Sequence, residues 1–243
     1  MNAYKKTAFS LVTLIILGIT ALVAFHTQAA RTQPRKLRPQ IDKTQFPIAD
    51  YVAPEPSDNG ERARRRARSK KYDKSAWEIY PASRNDLTVR THSDVELLPA
   101  LPTVQSSVVI IGTVDKANAY LSDDKTGVYS EFNIRIEEIL KTDKASLSSG
   151  NSLMAIREGG QVKFPSGHTQ VFFAAKERMP RVGRRYVLFL KCTDEAGVFN
   201  LLTGYELRAG KVFPLDEPKQ FSIYQNVDED PFINEVKGSL QTQ

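Results

Sequence analysis

The stretch VYSEFNIRIEEIL, from Val128 to Leu140, decides how the rest of the chain is read. Phe132, Ile134 and Ile136 alternate with Glu131, Asn133, Arg135 and Glu137. A period of two predicts a strand with one face in a core and the charges turned outward. Just before it, SVVIIGTV (Ser107 to Val114) is a continuous β-branched run of the kind found in strands buried on both faces. The two are joined by DKANAYLSDDKTG, in which Asp123 to Gly127 carry turn chemistry.

Beyond the central strand the pattern continues through SLMAIREGGQVKF, where Gly159 and Gly160 predict a bend or bulge of the kind a curling sheet needs. Pro165, Ser166, Gly167 and His168 read as a tight turn into TQVFF. RRYVLFLK (Arg184 to Lys191) is a second strong strand, TDEAG turns it into VFNLLTGYEL, and Ala209 with Gly210 turns the chain again into KVFPL. Five to seven short strands at this spacing, with no long helix among them, predict an all-β fold over residues 103–216. The expected form is a small antiparallel Greek-key or OB-like barrel, with a β-sandwich as the alternative.

The flanks divide by composition. Lys5 and Lys6 precede an apolar run from Ala8 to Phe25, and HTQAA follows, which is the order of a secretory signal peptide with cleavage after Ala29 or Ala30. Residues 1–30 are therefore expected to be a signal peptide. The run is also close to the roughly 20 residues that span a bilayer, so a retained inner-membrane signal anchor is the alternative. Either way the barrel is expected outside the cytosol, periplasmic or extracellular. Residues 31–102, rich in Pro and Arg, have too few periodic apolar positions to build a core and are expected to be a disordered linker. Residues 217–243 form an acidic tail in which Phe232, Val236 and Leu240 recur at helical spacing, so a short helix is expected there.

The formal net charge is +6, and most of the excess lies ahead of the predicted barrel. It peaks in ERARRRARSKKYDK, where Arg62, Arg64, Arg65, Arg66, Arg68, Lys70 and Lys71 crowd together. Such a run suits a polyanion: nucleic acid, anionic lipid or an acidic envelope polymer. The plain alternative is a solvated charged segment, with helix formation opposed by like charges at i,i+3 and i,i+4. For the tail, a short helix packed on the barrel is the plain expectation, and the competing one is that Asp228, Glu229 and Asp230 offset part of this charge within one molecule. A second basic set, Arg178, Arg181, Arg184 and Arg185, surrounds MPRVG between two strands, where it would either bind a negatively charged partner or keep a connector soluble.

The order VVIIGTV, VYSEFNIRIEEILK, a glycine turn, GRRYVLFLK and a closing hairpin resembles secreted OB-barrel modules of the netrin and tissue-inhibitor-of-metalloproteinase type over residues 105–216. The resemblance implies the barrel. It does not carry protease inhibition over, because those inhibitors use an N-terminal cysteine on the protease metal and are stapled by disulfides, whereas this chain has one cysteine, Cys192. The domain is also similar to exported proteins of soil bacteria that pair YSEF with G-x-x-YVLFL and GYEL, a likeness that implies no function.

The inventory for catalysis is thin. Beyond residue 30 the histidines are His92 and His168, no G-x-S-x-G surrounds a serine, and too few His and Cys exist to build a zinc site with ease. Asp115, Asp123 and Asp124 lack the spacing and closing Glu of a calcium loop. Glu131 and Glu137 share a strand face but stand roughly 20 Å apart at strand rise, too far to act on one bond. The sequence therefore predicts no cofactor or metal. It predicts a non-enzymatic envelope protein, a β-barrel binding or adaptor module on a basic tether. The alternatives are a polyanion-binding protein and an enzyme with an unrecognised site, for which Glu158 and His168 are the remaining candidates.

Overall fold

The computed structural model describes residues 46–74, 87–90 (backbone), 98–143, 147–174 and 176–241. The apolar run at 8–25, Trp77 and His92 lie outside these residues, and so do the expectations that rest on them. Along the chain come β1 (Ile48–Asp50), helix α1 (Asn59–Ser69), a 3-10 turn (Lys70–Tyr72), β2 (Leu87–Arg90), β3 (Val108–Leu121), β4 (Val128–Thr142), β5 (Ser152–Glu158), β6 (Gly160–Lys163), β7 (Thr169–Ala174), β8 (Arg185–Cys192), β9 (Val198–Arg208), β10 (Lys211–Pro214), a 3-10 turn (Phe221–Tyr224) and helix α2 (Glu229–Gln241).

Five of the strands close on themselves in the order β8-β3-β4-β5-β9, with β9 pairing back onto β8. β3–β4, β4–β5, β3–β8 and β8–β9 are antiparallel, whereas β5–β9 is parallel. One parallel pair is what lets a strand that follows an intervening hairpin return beside its earlier neighbour. The result is an OB-like barrel, in which closure leaves those five strands no free edge between them. The intervening β6–β7 hairpin builds a second sheet, ordered β1-β6-β7-β2, with parallel β1–β6 and β2–β7 contacts.

The two kinds of apolar pattern have separate causes. On β4, Phe132, Ile134 and Ile136 are fully buried in the barrel and the residues between them face away. β3 and β8 are buried on both faces, because Val109, Ile111, Val187 and Phe189 pack outward against Phe221, Phe232 and Val236. The 3-10 turn Phe221–Tyr224 and α2 therefore form a lid over that side of the barrel, and the Tyr205 hydroxyl ties the same layer to the Ala100 carbonyl. The predicted tail helix is present and amphipathic as expected.

The turns fall where the sequence places them. Gly159, between β5 and β6, has φ +110°, and a Cβ there would lie 2.8 Å from the Phe172 carbonyl oxygen, so the bend requires glycine. Asp124 organises the β3–β4 turn by accepting from the Thr126 amide and the Ser122 hydroxyl. A bond from the Lys74 amide, together with those from Thr126 and Ser122, holds its carboxyl well below the usual range.

Within the segment expected to be a linker, residues 46–74 are ordered against the barrel. β1 joins the second sheet, where Ala49 packs with Val162, Phe164 and Phe172. α1 forms despite its like charges because Asp58 caps it, accepting from the Glu61 amide at 2.6 Å, and Glu61 pairs with Arg65 one turn on at 2.9 Å. No helix among the described residues is long and apolar enough to cross a membrane.

Candidate functional site

The arginine run is drawn onto one outer face of the barrel. Arg68, the last arginine of α1, sits between two carboxylates from distant parts of the chain: its Nε is 2.9 Å from Glu131 Oε1 on β4, and its Nη1 donates to Glu195 Oε1 in the β8–β9 turn at 2.7 Å. The side chains of Arg68 and Glu131 are 9% and 7% exposed. Arg65 lies over the Tyr120 ring with its guanidinium carbon 4.3 Å from the centroid. Tyr72, just past the helix, stacks on Tyr129 at 4.6 Å and 10°. The face thus offers carboxylates for cations and flat rings for stacking.

Its rim comes from the two neighbouring turns. Arg66 is 3.5 Å from Asp123 and 2.8 Å from Glu55, and the Lys74 amide donates to Asp124 at 2.8 Å. In OB barrels the second and third strands, with the turns after the first and fourth, form the ligand face. Here those elements are β4, β5, the β3–β4 turn and the β8–β9 turn, and α1 with the 3-10 turn after it lies across the part formed by β4 and the two turns.

Electrostatics make this dock unlike ordinary packing. Burial pushes the Glu131 carboxyl up, against the opposing pull of Arg68 and Arg65. Burial lowers Arg68, but Glu131 and Glu195 more than offset it and the net shift is upward. The Tyr129 hydroxyl is raised by burial and by Glu131. Arg68 Nε, Glu131 Oε1 and the Tyr129 hydroxyl are enclosed, yet none makes a hydrogen bond of good geometry. The pair is close in charge terms and poorly aligned in hydrogen-bond terms.

The other arginines of the run divide. Arg62 donates to the Pro56 carbonyl at 2.8 Å and lies 3.3 Å from Glu55, so it ties the helix to the chain before it. Arg64, Lys70 and Lys71 are exposed, with no acidic partner among the described residues. The tail acids do not reach the run: Asp228 pairs with Lys211, and Glu229 with Arg185. The expected neutralisation by the tail is corrected, because the barrel and the segment before α1 supply the carboxylates instead.

The second basic set is also split. Arg185 is held by Glu137 at 2.7 Å and by Glu229, so it fastens α2 to β4. Arg178 pairs with Glu217, and Arg184 is 3.9 Å from Glu206. Arg178 and Arg181 line a cleft of about 350 Å³ together with Tyr186 and Glu206. The Tyr186 hydroxyl accepts from the Arg181 amide at 2.9 Å, and burial pushes it up to about 12. Beneath this cleft is a residue that sequence reasoning missed. Arg157, 3% exposed, donates to Asp216 at 2.8 Å, to the carbonyls of Arg178 and Leu202, and to Glu177. Asp216 also accepts from Thr203 and from the Arg178 amide.

The remaining candidates are not drawn into one constellation by position. Glu158 ends β5 opposite Tyr129, whereas His168 sits at the β6–β7 turn with its ring 6.0 Å from that of Phe164. Among the described residues no group of three or more His, Cys, Asp or Glu side chains is placed to hold a metal ion. Compared with protein-family models and with curated proteins, the chain matches none.

Proposed function

We propose that this chain is an exported, non-enzymatic binding or adaptor module. One observation carries the reading: the barrel grips a polypeptide segment through a built outer face, with Arg68 seated between Glu131 and Glu195 and Tyr72 stacked on Tyr129. Side chains from β4 and the β8–β9 turn converge on one helical arginine, which is the construction of a peptide-binding surface. Export is supported by Lys5, Lys6 and the apolar run that follows.

Two measurements test this. Intact masses from the membrane and soluble envelope fractions should show either a species starting at Ala30 or Arg31 or an anchored chain that retains residues 1–30. Recovery of the full chain from the cytosol alone defeats export. A photo-cross-linking residue at the exposed Arg64 position should give a discrete heteromeric adduct in cells. Only intramolecular products would defeat the adaptor reading.

A second reading, polyanion binding, is supported by the exposed Arg64, Lys70 and Lys71. Three phosphate contacts would give a log–log salt slope of about −2 on single strands. A flat salt dependence rules against it.

A further inference from the structure

We propose that the face around Tyr129, Glu131 and Glu195 is a receptor for an arginine-bearing helix of a partner protein, and that the chain's own α1 is a stand-in ligand covering it. This rests on the adaptor reading above and names the partner's chemistry. Three features carry it.

The first is the nature of the dock. Arg68 and Ser69 are the only buried residues of α1. An ordinary surface helix seats an apolar stripe on its domain, and that stripe supplies most of its stability. α1 has none, and it is held by ion pairs and ring stacking. Undocking the helix returns Arg68, Glu131 and Glu195 to water, so the buried pairs can exchange for solvation or for a ligand of the same charge.

The second is complementarity. The receptor side is acidic and aromatic, with Glu131, Glu195 and Asp123 around Tyr120 and Tyr129. The matching ligand is a helix that places one arginine in the slot between Glu131 and Glu195 and another, three residues earlier, over Tyr120. Arg68 and Arg65 occupy these positions in α1.

The third is the quality of the fit. The slot is closed, yet Glu131 Oε1, the Tyr129 hydroxyl and Arg68 Nε lack well-aligned hydrogen bonds. A helix seated at a slightly different depth can present its guanidinium fork in the bidentate geometry that carboxylates favour. The covering helix therefore leaves room for a tighter competitor, as a displaceable stand-in requires.

The test uses the full chain and a labelled synthetic peptide spanning residues 55–74. Wild-type protein, already covered, should bind it weakly. The Arg68→Ala variant leaves its own helix without the anchor, and should bind the peptide at least tenfold more tightly. That gain should vanish for a peptide carrying Arg68→Ala, and for protein carrying Glu131→Gln in addition. Asp58→Ala frays α1 at its exposed start without touching the face, so it serves if Arg68→Ala fails to fold, with a smaller gain expected. Equal weak binding by wild type and both opened variants overturns the proposal. So does a concentration-dependent dimer of Asp58→Ala that excludes the peptide, since the occupant would then be a second copy. Heteromeric cross-links at position 64 that persist in the Glu131→Gln protein would sink this inference and leave the adaptor reading standing.

Discussion

Two arginines, Arg157 and Arg68, are buried beside carboxylates, and the difference between them separates structure from function in this molecule. Arg157 makes hydrogen bonds to Asp216, Glu177 and two backbone carbonyls, and Asp216 is itself completed by Thr203 and the Arg178 amide. Arg68 has two carboxylates within reach but hydrogen-bonds well to only one, Glu195. Removing charge from water costs several kcal/mol per ion, and a buried pair recovers that cost only when its hydrogen bonds are complete. The first site meets that condition and works as a rivet between β5, the connector after β7 and the segment after β10. The second does not, and it lies under a helix with no apolar stripe. Complete satisfaction fits a part that must not move, and incomplete satisfaction fits the exchange proposed for α1.

The largest effect that would break this comparison is at the rivet. Arg157→Ala strands Asp216 in the interior and should cost about 3–5 kcal/mol of global stability, measured by urea unfolding with an unchanged slope. A loss below about 1 kcal/mol would mean that the site is no more than a surface pair. Arg68→Ala should instead lower global stability much less while raising amide exchange over α1, because only a peripheral element is released.

Next comes the cap. Asp58→Ala removes the acceptor for the Glu61 amide and should cost the helix about 1 kcal/mol. The readout is again local: faster exchange at residues 59–69 with unchanged protection on β3 and β8. Uniform loss of protection across the barrel would show that α1 belongs to the cooperative core, as Arg157 does.

How far the sequence revealed this arrangement follows from the same contrast. Period-two alternation placed Phe132, Ile134 and Ile136 inward, and the turn residues placed most of the hairpins, because both signals are local. Glu131 does point away from the barrel as the alternation requires. It is nevertheless buried, because a helix some sixty residues earlier in the chain covers it, and periodicity reports the face of a strand but not what lies on it. The arginine run was legible as charge, and its polyanion reading followed from counting. Its partners were not legible, since Glu195 stands 127 residues from Arg68. Arg157 carried no signal at all: an arginine near the end of SLMAIRE looks like an ordinary solvent-facing position until Asp216 closes on it.

A smaller effect sharpens the comparison through pH. Glu131 is raised by burial, so the folded chain binds a proton more readily there than the unfolded chain does. Its stabilising contribution is fully present below the ordinary glutamate range and is lost as pH rises through the raised value. Asp124, depressed by its hydrogen bonds, has the opposite sign: its contribution is present above the ordinary aspartate range and is lost on acidification through the depressed value. The Glu131 contribution to the overall unfolding free energy should therefore weaken as pH rises from the ordinary glutamate value towards neutral. Arg68, Arg65, Glu195, Tyr129, Tyr72 and Tyr120 are the groups that face Glu131 and set this window. Glu131→Gln should abolish the trend, and a trend that survives the substitution would assign it to another group.

The smallest effect is expected at Arg66, and its smallness is informative. Arg66 has two acidic neighbours, Glu55 and Asp123, so a count of ion pairs ranks it with Arg68. Its side chain is half exposed, however, and its partners are as exposed or nearly so, so water and salt screen the attraction and the long side chains lose entropy in holding the geometry. Arg66→Ala should leave the melting midpoint unchanged within error, at low and at high salt, and should alter peptide capture less than Arg68→Ala does. A destabilisation approaching that of Arg68→Ala would show that the rim, not the slot between Glu131 and Glu195, holds the helix. The geometry required of a partner would then change from one seated arginine to a spread of surface charge.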